Sequence, residues 1–118
     1  MASIRETIER EVTLWPGVEE REHRFGGVEF RVRGHEIGHL HGSRMVDLPF
    51  PVRVRKELVA EGRAQPHHLF PQTGWVSYYP SGPEDASAVV ELFRLNYEHL
   101  MEKSRNKAGP GASGREAG

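Results

Sequence analysis

Histidines are concentrated in one short stretch of the chain, residues 34–42, which reads GHEIGHLHG. If this stretch forms a regular strand, its side chains alternate between two faces. One face would carry His35, Ile37, His39 and His41, and the other would carry Gly34, Glu36, Gly38, Leu40 and Gly42. The second face is nearly bare, so a large group such as Trp75 or a helix could approach the strand closely there.

His39 and His41 are spaced so that they could share a ligand. Their backbones would lie about 6.6 Å apart, at roughly 3.3 Å per strand residue, which lets two ring nitrogens converge on one ion. His67, His68 or the Asp47 carboxylate would complete the set of ligands, since divalent transition metals bind imidazole and carboxylate together. The sequence therefore predicts a candidate divalent metal site with His39, His41 and His68 as its ligands.

Two interpretations without a metal stay open for the same residues. A histidine held by Asp47 or Glu36 would titrate near neutral pH, where it can act as a general base. Alternatively, the paired histidines and carboxylates tie adjacent strands together and have a structural role only. No nucleophile accompanies them in the pattern, because the chain has no cysteine and Ser43 lies in a Gly-Ser-Arg context.

Hydrophobic periodicity divides the chain into elements in the order α-β-β-β-α-β-α. Ile4, Ile8 and Val12 predict an amphipathic first helix, and Ser3 with Glu6 matches a capping box. Strands are predicted at residues 28–33, 35–42, 44–50 and 74–79, and further helices at residues 52–61 and 83–103. This order predicts an α+β fold, an antiparallel sheet of about four strands with helices packed mainly on one face.

Length and composition limit the fold and the function classes. The 118 residues fit one domain, which we expect at residues 1–103, followed by a disordered Gly/Ala/Ser-rich tail at residues 104–118. The absence of cysteine excludes disulfides, thiolate metal sites and iron–sulfur clusters. The net charge of −1 argues against a dedicated nucleic-acid binder. The lack of a long apolar run predicts a cytoplasmic protein with no membrane association.

Several motifs together resemble the small bacterial proteins of the luciferase family, also called luciferase-like domain proteins. They are found at residues 24–30 (RFGGVEF), 36–42 (EIGHLHG), 46–49 (VDLP), 62–64 (GRA), 66–68 (PHH), 73–76 (TGWV) and 96–97 (NY). The resemblance covers about residues 15–100, and Thr73 stands where the family is expected to have serine. It implies a set of polar and aromatic ligand-binding candidates, namely Glu36, His39, His41, Asp47, His67, His68 and Trp75.

The family name does not imply light emission by this chain. A flavin-dependent bacterial luciferase is a (β/α)₈ barrel of typically about 250 residues, which 118 residues cannot form. The first functional hypothesis is therefore that the domain binds a small molecule or a metal ion at the histidine and carboxylate cluster. Any enzymatic activity there would be acid–base or oxygen chemistry.

The second hypothesis is a non-catalytic interaction module that binds nucleic acid or a protein partner. It rests on a fold-level analogy to the MmcQ/YjbR-like proteins, which also end in a Trp-bearing strand followed by a helix with a tyrosine near its end. A homodimer formed through an open sheet edge is compatible with both hypotheses.

Overall fold

The computed structural model describes residues 3–22 and 26–108, which form one sheet and three α-helices. The helices are α1 (Ile4–Val12), α2 (Val52–Ala60) and α3 (Ala86–Ala108), and a 3-10 turn at Pro83–Asp85 leads into α3. The strands are β1 (Val18–Glu22), β2 (Val28–Val32), β3 (His35–His41), β4 (Met45–Pro49), β5 (Gln65–Pro66) and β6 (Trp75–Tyr78). The strand order is β1-β2-β3-β4-β6-β5, and all neighbours are antiparallel.

The hydrophobic core lies between the sheet and the helices α1 and α3. The Phe30 ring of β2 meets the Phe93 ring of α3 edge to face, with centroids 5.4 Å apart. Helix α1 contributes its four-residue stripe to the same core, where Ile4, Ile8 and Val12 are all buried. The predicted α+β class is confirmed, and so is the face of α1 that packs on the core.

The helix termini follow the capping residues in the sequence. Ser3 Oγ accepts the Glu6 N–H at 3.1 Å, and the Glu6 carboxylate accepts the Ser3 N–H at 3.0 Å. This capping box satisfies N–H groups that have no partner inside the helix, and it fixes the start of α1. Pro51 is the N-cap of α2, and Gly62 follows that helix with a φ of +75°, a conformation that favours glycine.

The sheet has two more strands than the sequence predicted. Strand β1 reads VEERE and has four exposed side chains out of five, so it lacks the apolar alternation by which strands are recognised. Strand β5 has only two residues, one of which is Pro66. Both lie at the edges of the sheet. They are strands because they pair with a neighbouring strand, and their own sequences carry no strand pattern.

Helix α3 continues past Lys103 to Ala108. Residues 109–118, most of the predicted tail, lie outside the described residues, so the tail and the domain limits stay predictions. Across residues 3–22 and 26–108, no helix combines the length and apolarity needed to cross a membrane. The cytoplasmic location also stays a prediction.

Candidate metal centre

A row of polar residues crosses the sheet on the face opposite α3. The strand register pairs His39 of β3 with Asp47 of β4, and Asp47 with Ser77 of β6. Directly paired residues of antiparallel strands have their side chains on the same face. Gly38 faces the other way, because a Cβ there would lie 2.8 Å from the Phe93 ring. The bare face of β3 is therefore covered by an α3 side chain.

Trp75 lies on the histidine face of the sheet. Its ring centroid is 5.6 Å from that of His39 and 5.7 Å from that of His67. Of the two groups expected at the bare face of β3, helix α3 lies there and Trp75 does not. Trp75 pairs with Pro49 in the β4–β6 register, two residues from Ser77, and this spacing places it on the same face as Ser77.

A β-bulge in β3 changes which residues share the histidine face. The pairing with β2 shifts its register at Ile37, which turns into the core and is fully buried. Glu36 therefore lies on the histidine face of the sheet, where its Oε2 is 2.5 Å from His39 Nδ1. The predicted faces, with Ile37 beside His39 and Glu36 opposite, are therefore wrong, because strict alternation does not hold across a bulge.

The Asp47 carboxylate is the centre of the polar cluster. Its side chain is only 2% exposed, and its Oδ1 accepts a hydrogen bond from the Ser77 hydroxyl at 2.6 Å. Its Oδ2 faces four imidazole rings. The Nε2 atoms lie 3.3 Å from Oδ2 for His41, 3.4 Å for His39, and 3.5 Å for both His67 and His68.

These nitrogen–oxygen distances have the spacing of ligands around one ion. Hydrogen bonds from N–H to oxygen are usually about 2.7–3.2 Å long, so 3.3–3.5 Å is long for four such bonds. Two ligand atoms at about 2.0–2.1 Å from a tetrahedral ion stand about 3.3–3.4 Å apart. Two sets of residues could hold an ion, one of His39, His41 and Asp47 and the other of Asp47, His67 and His68. Within each set, one ligand atom of each residue lies within 4.8 Å of those of the other two.

The hydrogen bonds of His39 fix the orientation of its ring. Glu36 at Nδ1 fixes the N–H on that nitrogen and leaves Nε2 directed at Asp47, an arrangement common among metal-binding histidines. Burial alone would lower the pKa of His39, but hydrogen bonds to Asp47 and Glu36 outweigh it and raise that pKa from 6.5 to about 9. Without a metal, the ring is therefore an imidazolium between two carboxylates.

The pKa of Asp47 is shifted in the complementary direction. Burial by itself would raise it, but hydrogen bonds from His39 and Ser77 lower it well below its usual range. The carboxylate is therefore ionised across the physiological pH range. A buried negative charge of this kind requires a proton or a metal ion on the neighbouring rings.

His67 has the opposite tautomer to His39. Its Nδ1 accepts the backbone N–H groups of Leu69 and Phe70, each at 3.1 Å, so in the neutral ring the proton is on Nε2. Burial lowers the pKa of His67, which keeps the ring neutral. His67 therefore presents an N–H to Asp47 and no lone pair for a metal.

The four rings also differ in their access to solvent. The side chains of His39 and His67 are 10% and 7% exposed, whereas those of His41 and His68 are 27% and 34% exposed. The cluster is therefore open to solvent at His41 and His68. The cluster contains every ligand-binding candidate of the sequence, namely Glu36, His39, His41, Asp47, His67, His68 and Trp75.

A comparison with family models agrees with the motifs in the sequence. The model of the luciferase domain matches residues 34–96, more than half of the chain. The chain belongs to the luciferase domain family. The matched region of this luciferase domain begins just before β3 and ends at Asn96 of α3, so it contains the whole polar cluster. No curated protein and no solved structure matches the chain.

Sequence reasoning missed two residues that support the cluster of this luciferase domain. Ser77 lies inside an aromatic strand, and only its pairing with Asp47 brings its hydroxyl to the carboxylate. Asn96 is a buried polar residue within the apolar stripe of α3. An asparagine in such a stripe is a signal for a specific buried hydrogen bond, because an unpaired amide would be costly there.

Proposed function

We propose that this luciferase domain binds one divalent transition-metal ion through Nε2 of His39, Nε2 of His41 and Oδ2 of Asp47. The observation that carries the proposal is the convergence of imidazole nitrogens on one buried carboxylate oxygen, at the spacing of ligands around an ion. Hydrogen bonds from N–H to oxygen are usually about 2.7–3.2 Å long, shorter than the 3.3 Å and 3.4 Å contacts of His41 and His39 with this oxygen.

The two histidine tautomers favour this ligand set over the second one. Glu36 leaves Nε2 of His39 available for a metal, whereas the loop N–H groups on Nδ1 of His67 keep the proton on its Nε2. His67 thus acts as a hydrogen-bond donor to Asp47. His68, predicted as a ligand from the sequence, lies on the exposed side of Asp47 and flanks the remaining coordination positions.

Two histidines and one carboxylate leave coordination positions open. Sites with three protein ligands and an open position are typical of catalytic zinc centres and of non-haem iron oxygenases, whereas structural zinc sites are usually closed. With no cysteine in the chain, the ligands are nitrogen and oxygen atoms only, which suits Zn²⁺, Fe²⁺, Co²⁺ and Ni²⁺. A metal ion at this position would polarise an oxygen ligand or activate a water molecule.

Isothermal titration calorimetry of chelator-treated protein with Zn²⁺ tests the proposal. We expect one ion per chain, and we expect His41→Ala and Asp47→Asn to lower the affinity by more than the roughly 10–100-fold that loss of a supporting residue costs. Circular dichroism melting of each variant shows whether it is folded. The half-exposed position of His41 makes His41→Ala the variant that disturbs the core least.

The matched control is His35→Ala, which removes an exposed histidine from the start of the same strand. His35 pairs with Val32 and lies outside the cluster, so its loss should leave Zn²⁺ affinity unchanged. Equal losses of affinity in His35→Ala and His41→Ala would indicate nonspecific binding by surface histidines. An absence of Zn²⁺ binding by the folded wild-type protein would contradict the proposal directly.

A further inference from the structure

The loop between β5 and β6 forms a wall beside the proposed metal site. At its start, the two hydrogen bonds to His67 Nδ1 fix the backbone of Leu69 and Phe70. The Phe70 ring stacks on the His67 ring, with centroids 5.3 Å apart and an angle of 19° between the planes. Because His67 also contacts Asp47, the position of Phe70 is tied to the carboxylate at the centre of the site.

The second half of this loop is held as firmly as the first. The Thr73 hydroxyl donates to the Phe70 carbonyl at 2.7 Å and accepts the Trp75 N–H at 3.2 Å. Arg55 of α2 donates to the Thr73 carbonyl at 3.0 Å. These bonds anchor the loop to α2 and β6, so the side chains on it have fixed positions relative to the site.

The fixed loop nevertheless exposes two large apolar side chains. Leu69 is 66% exposed and Phe70 is 55% exposed, and both directly follow His68, the most exposed of the four rings of the cluster. Trp75, half-buried, lies across the cluster against His39 and His67. Ligand sites typically combine a few convergent polar groups with apolar and aromatic walls, and the exposed apolar pair completes that combination here.

We propose that the ligand of this site is a small oxygen-donor anion that carries an aromatic or branched apolar group. This inference rests on the proposed metal site. The anionic oxygen occupies an open coordination position, where the metal charge and the imidazole of His68 stabilise it. The apolar group packs against Phe70 and Leu69, which are exposed in the absence of such a ligand, and against the half-buried Trp75.

Two hydroxamates test the ligand class, because they bring the same oxygen donors to a metal with different substituents. Protein loaded with Co²⁺ is titrated with benzohydroxamate and with acetohydroxamate, and the visible Co²⁺ spectrum reports both metal binding and ligand binding. We expect benzohydroxamate to bind about tenfold more tightly, the factor that roughly 55 Å² of buried apolar surface supplies. Phe70→Ala and Leu69→Ala should each reduce this preference while Co²⁺ affinity is unchanged.

Leu14→Ala is the control, because Leu14 is a 73% exposed leucine beside α1, on the helix side of the sheet. It should leave the preference for benzohydroxamate at its wild-type value. Equal affinities for the two hydroxamates, or a preference that survives both loop substitutions, would overturn the ligand class and leave the metal site standing. Failure of the wild-type protein to bind Co²⁺ would overturn both proposals.

Discussion

The His39 ring lies between two carboxylates, Glu36 at Nδ1 and Asp47 at Nε2. In the metal-free protein both ring nitrogens carry protons at neutral pH, since the pKa is raised to about 9. In the proposed site a metal ion would replace only the Nε2 proton, because the hydrogen bond to Glu36 keeps the other proton on Nδ1 in both states. Metal binding at this residue would therefore exchange one proton for one ion, and the metal affinity is expected to increase with pH.

The raised pKa of His39 predicts how the metal-free protein depends on pH. A histidine whose pKa is higher in the folded state stabilises the fold fully below its ordinary value of 6.5 and loses this contribution as the pH rises through about 9. Chelator-treated wild-type protein should therefore be more stable than His39→Gln below pH 6.5, and the difference should decrease towards pH 9. Urea unfolding of both proteins across this range measures the difference.

The pH dependence is expected in the difference between the unfolding free energies of the two proteins, because other groups titrate in both of them and their effects cancel. Asp47 stays ionised throughout this range, since its pKa lies well below its usual value. A difference in unfolding free energy that is constant from pH 6.5 to pH 9 would mean that His39 is neutral in the folded protein. Metal binding at Nε2 of His39 would then release no proton.

At the scale of single residues, the sequence identified the side chains that form the polar cluster but not all of the cluster's geometry. Histidine and aspartate are recognisable as ligands by type, and the two-residue spacing of His39 and His41 placed them on one face correctly. The tautomer of His67 was not predictable, because it depends on backbone N–H groups of a loop whose conformation no local pattern specifies. Ser77 was missed for the same reason, since its role depends on strand pairing.

At the scale of elements, Asn96 links α3 to the bulge that brings Glu36 to the site. Its Nδ2 donates to the carbonyl of Ile37 at 2.9 Å and to that of Pro49 at 3.0 Å. The β3–β4 register would pair Ile37 with Pro49, but proline has no N–H to donate to the Ile37 carbonyl. Asn96 supplies the missing donor, so the bulge can form without an unpaired buried carbonyl.

We expect Asn96 to influence metal affinity through Glu36. Asn96→Ala should cost about 2–3 kcal/mol of stability, because the buried Ile37 carbonyl and the partly buried Pro49 carbonyl lose their donor. It should also weaken Zn²⁺ binding. In a Glu36→Gln background, the same substitution should have little further effect on affinity, since the group it positions is already lost. Calorimetric Zn²⁺ titration of the four proteins in this double-mutant cycle measures the coupling.

The control for this cycle is Leu95→Ala, a substitution at the exposed neighbour of Asn96 on the same helix. It should leave Zn²⁺ affinity unchanged in both backgrounds. Additive effects of Asn96→Ala and Glu36→Gln on the binding free energy would contradict the proposed route. Asn96 would then have only a structural role in joining α3 to the sheet.

The elements themselves were predictable to the extent that each has its own pattern. Helix α1 has a capping box and an apolar stripe, and both lie where the sequence places them. Strand β1 could not be predicted, because its exposed charged residues become a strand only by pairing with β2. The bulge at Ile37 could not be predicted either, because it depends on how β3 pairs with β2 and packs on the core. The sequence of β3 alone does not specify these contacts.

At the scale of the whole molecule, the proposed site joins parts of the chain that are far apart in sequence. His39 and His41 come from β3, Asp47 from β4, and His67 from the loop that follows β5. A metal ion on His39, His41 and Asp47 would cross-link β3 to β4, while His67 donates a hydrogen bond to Asp47 from the loop. The unfolded chain has no equivalent site. Metal binding should therefore stabilise the whole fold by mass action.

The size of this stabilisation follows from the concentration of free metal. At a Zn²⁺ concentration of 100 times Kd, mass action adds about 2.7 kcal/mol, which corresponds to an increase in Tm of roughly 10 °C for a domain of about 100 residues. Differential scanning calorimetry with increasing Zn²⁺ measures this shift. His35→Ala should retain it, and Asp47→Asn should lose it. An equal shift in Asp47→Asn would place the stabilising ion elsewhere, because Asp47 Oδ2 is the one atom that all four rings contact.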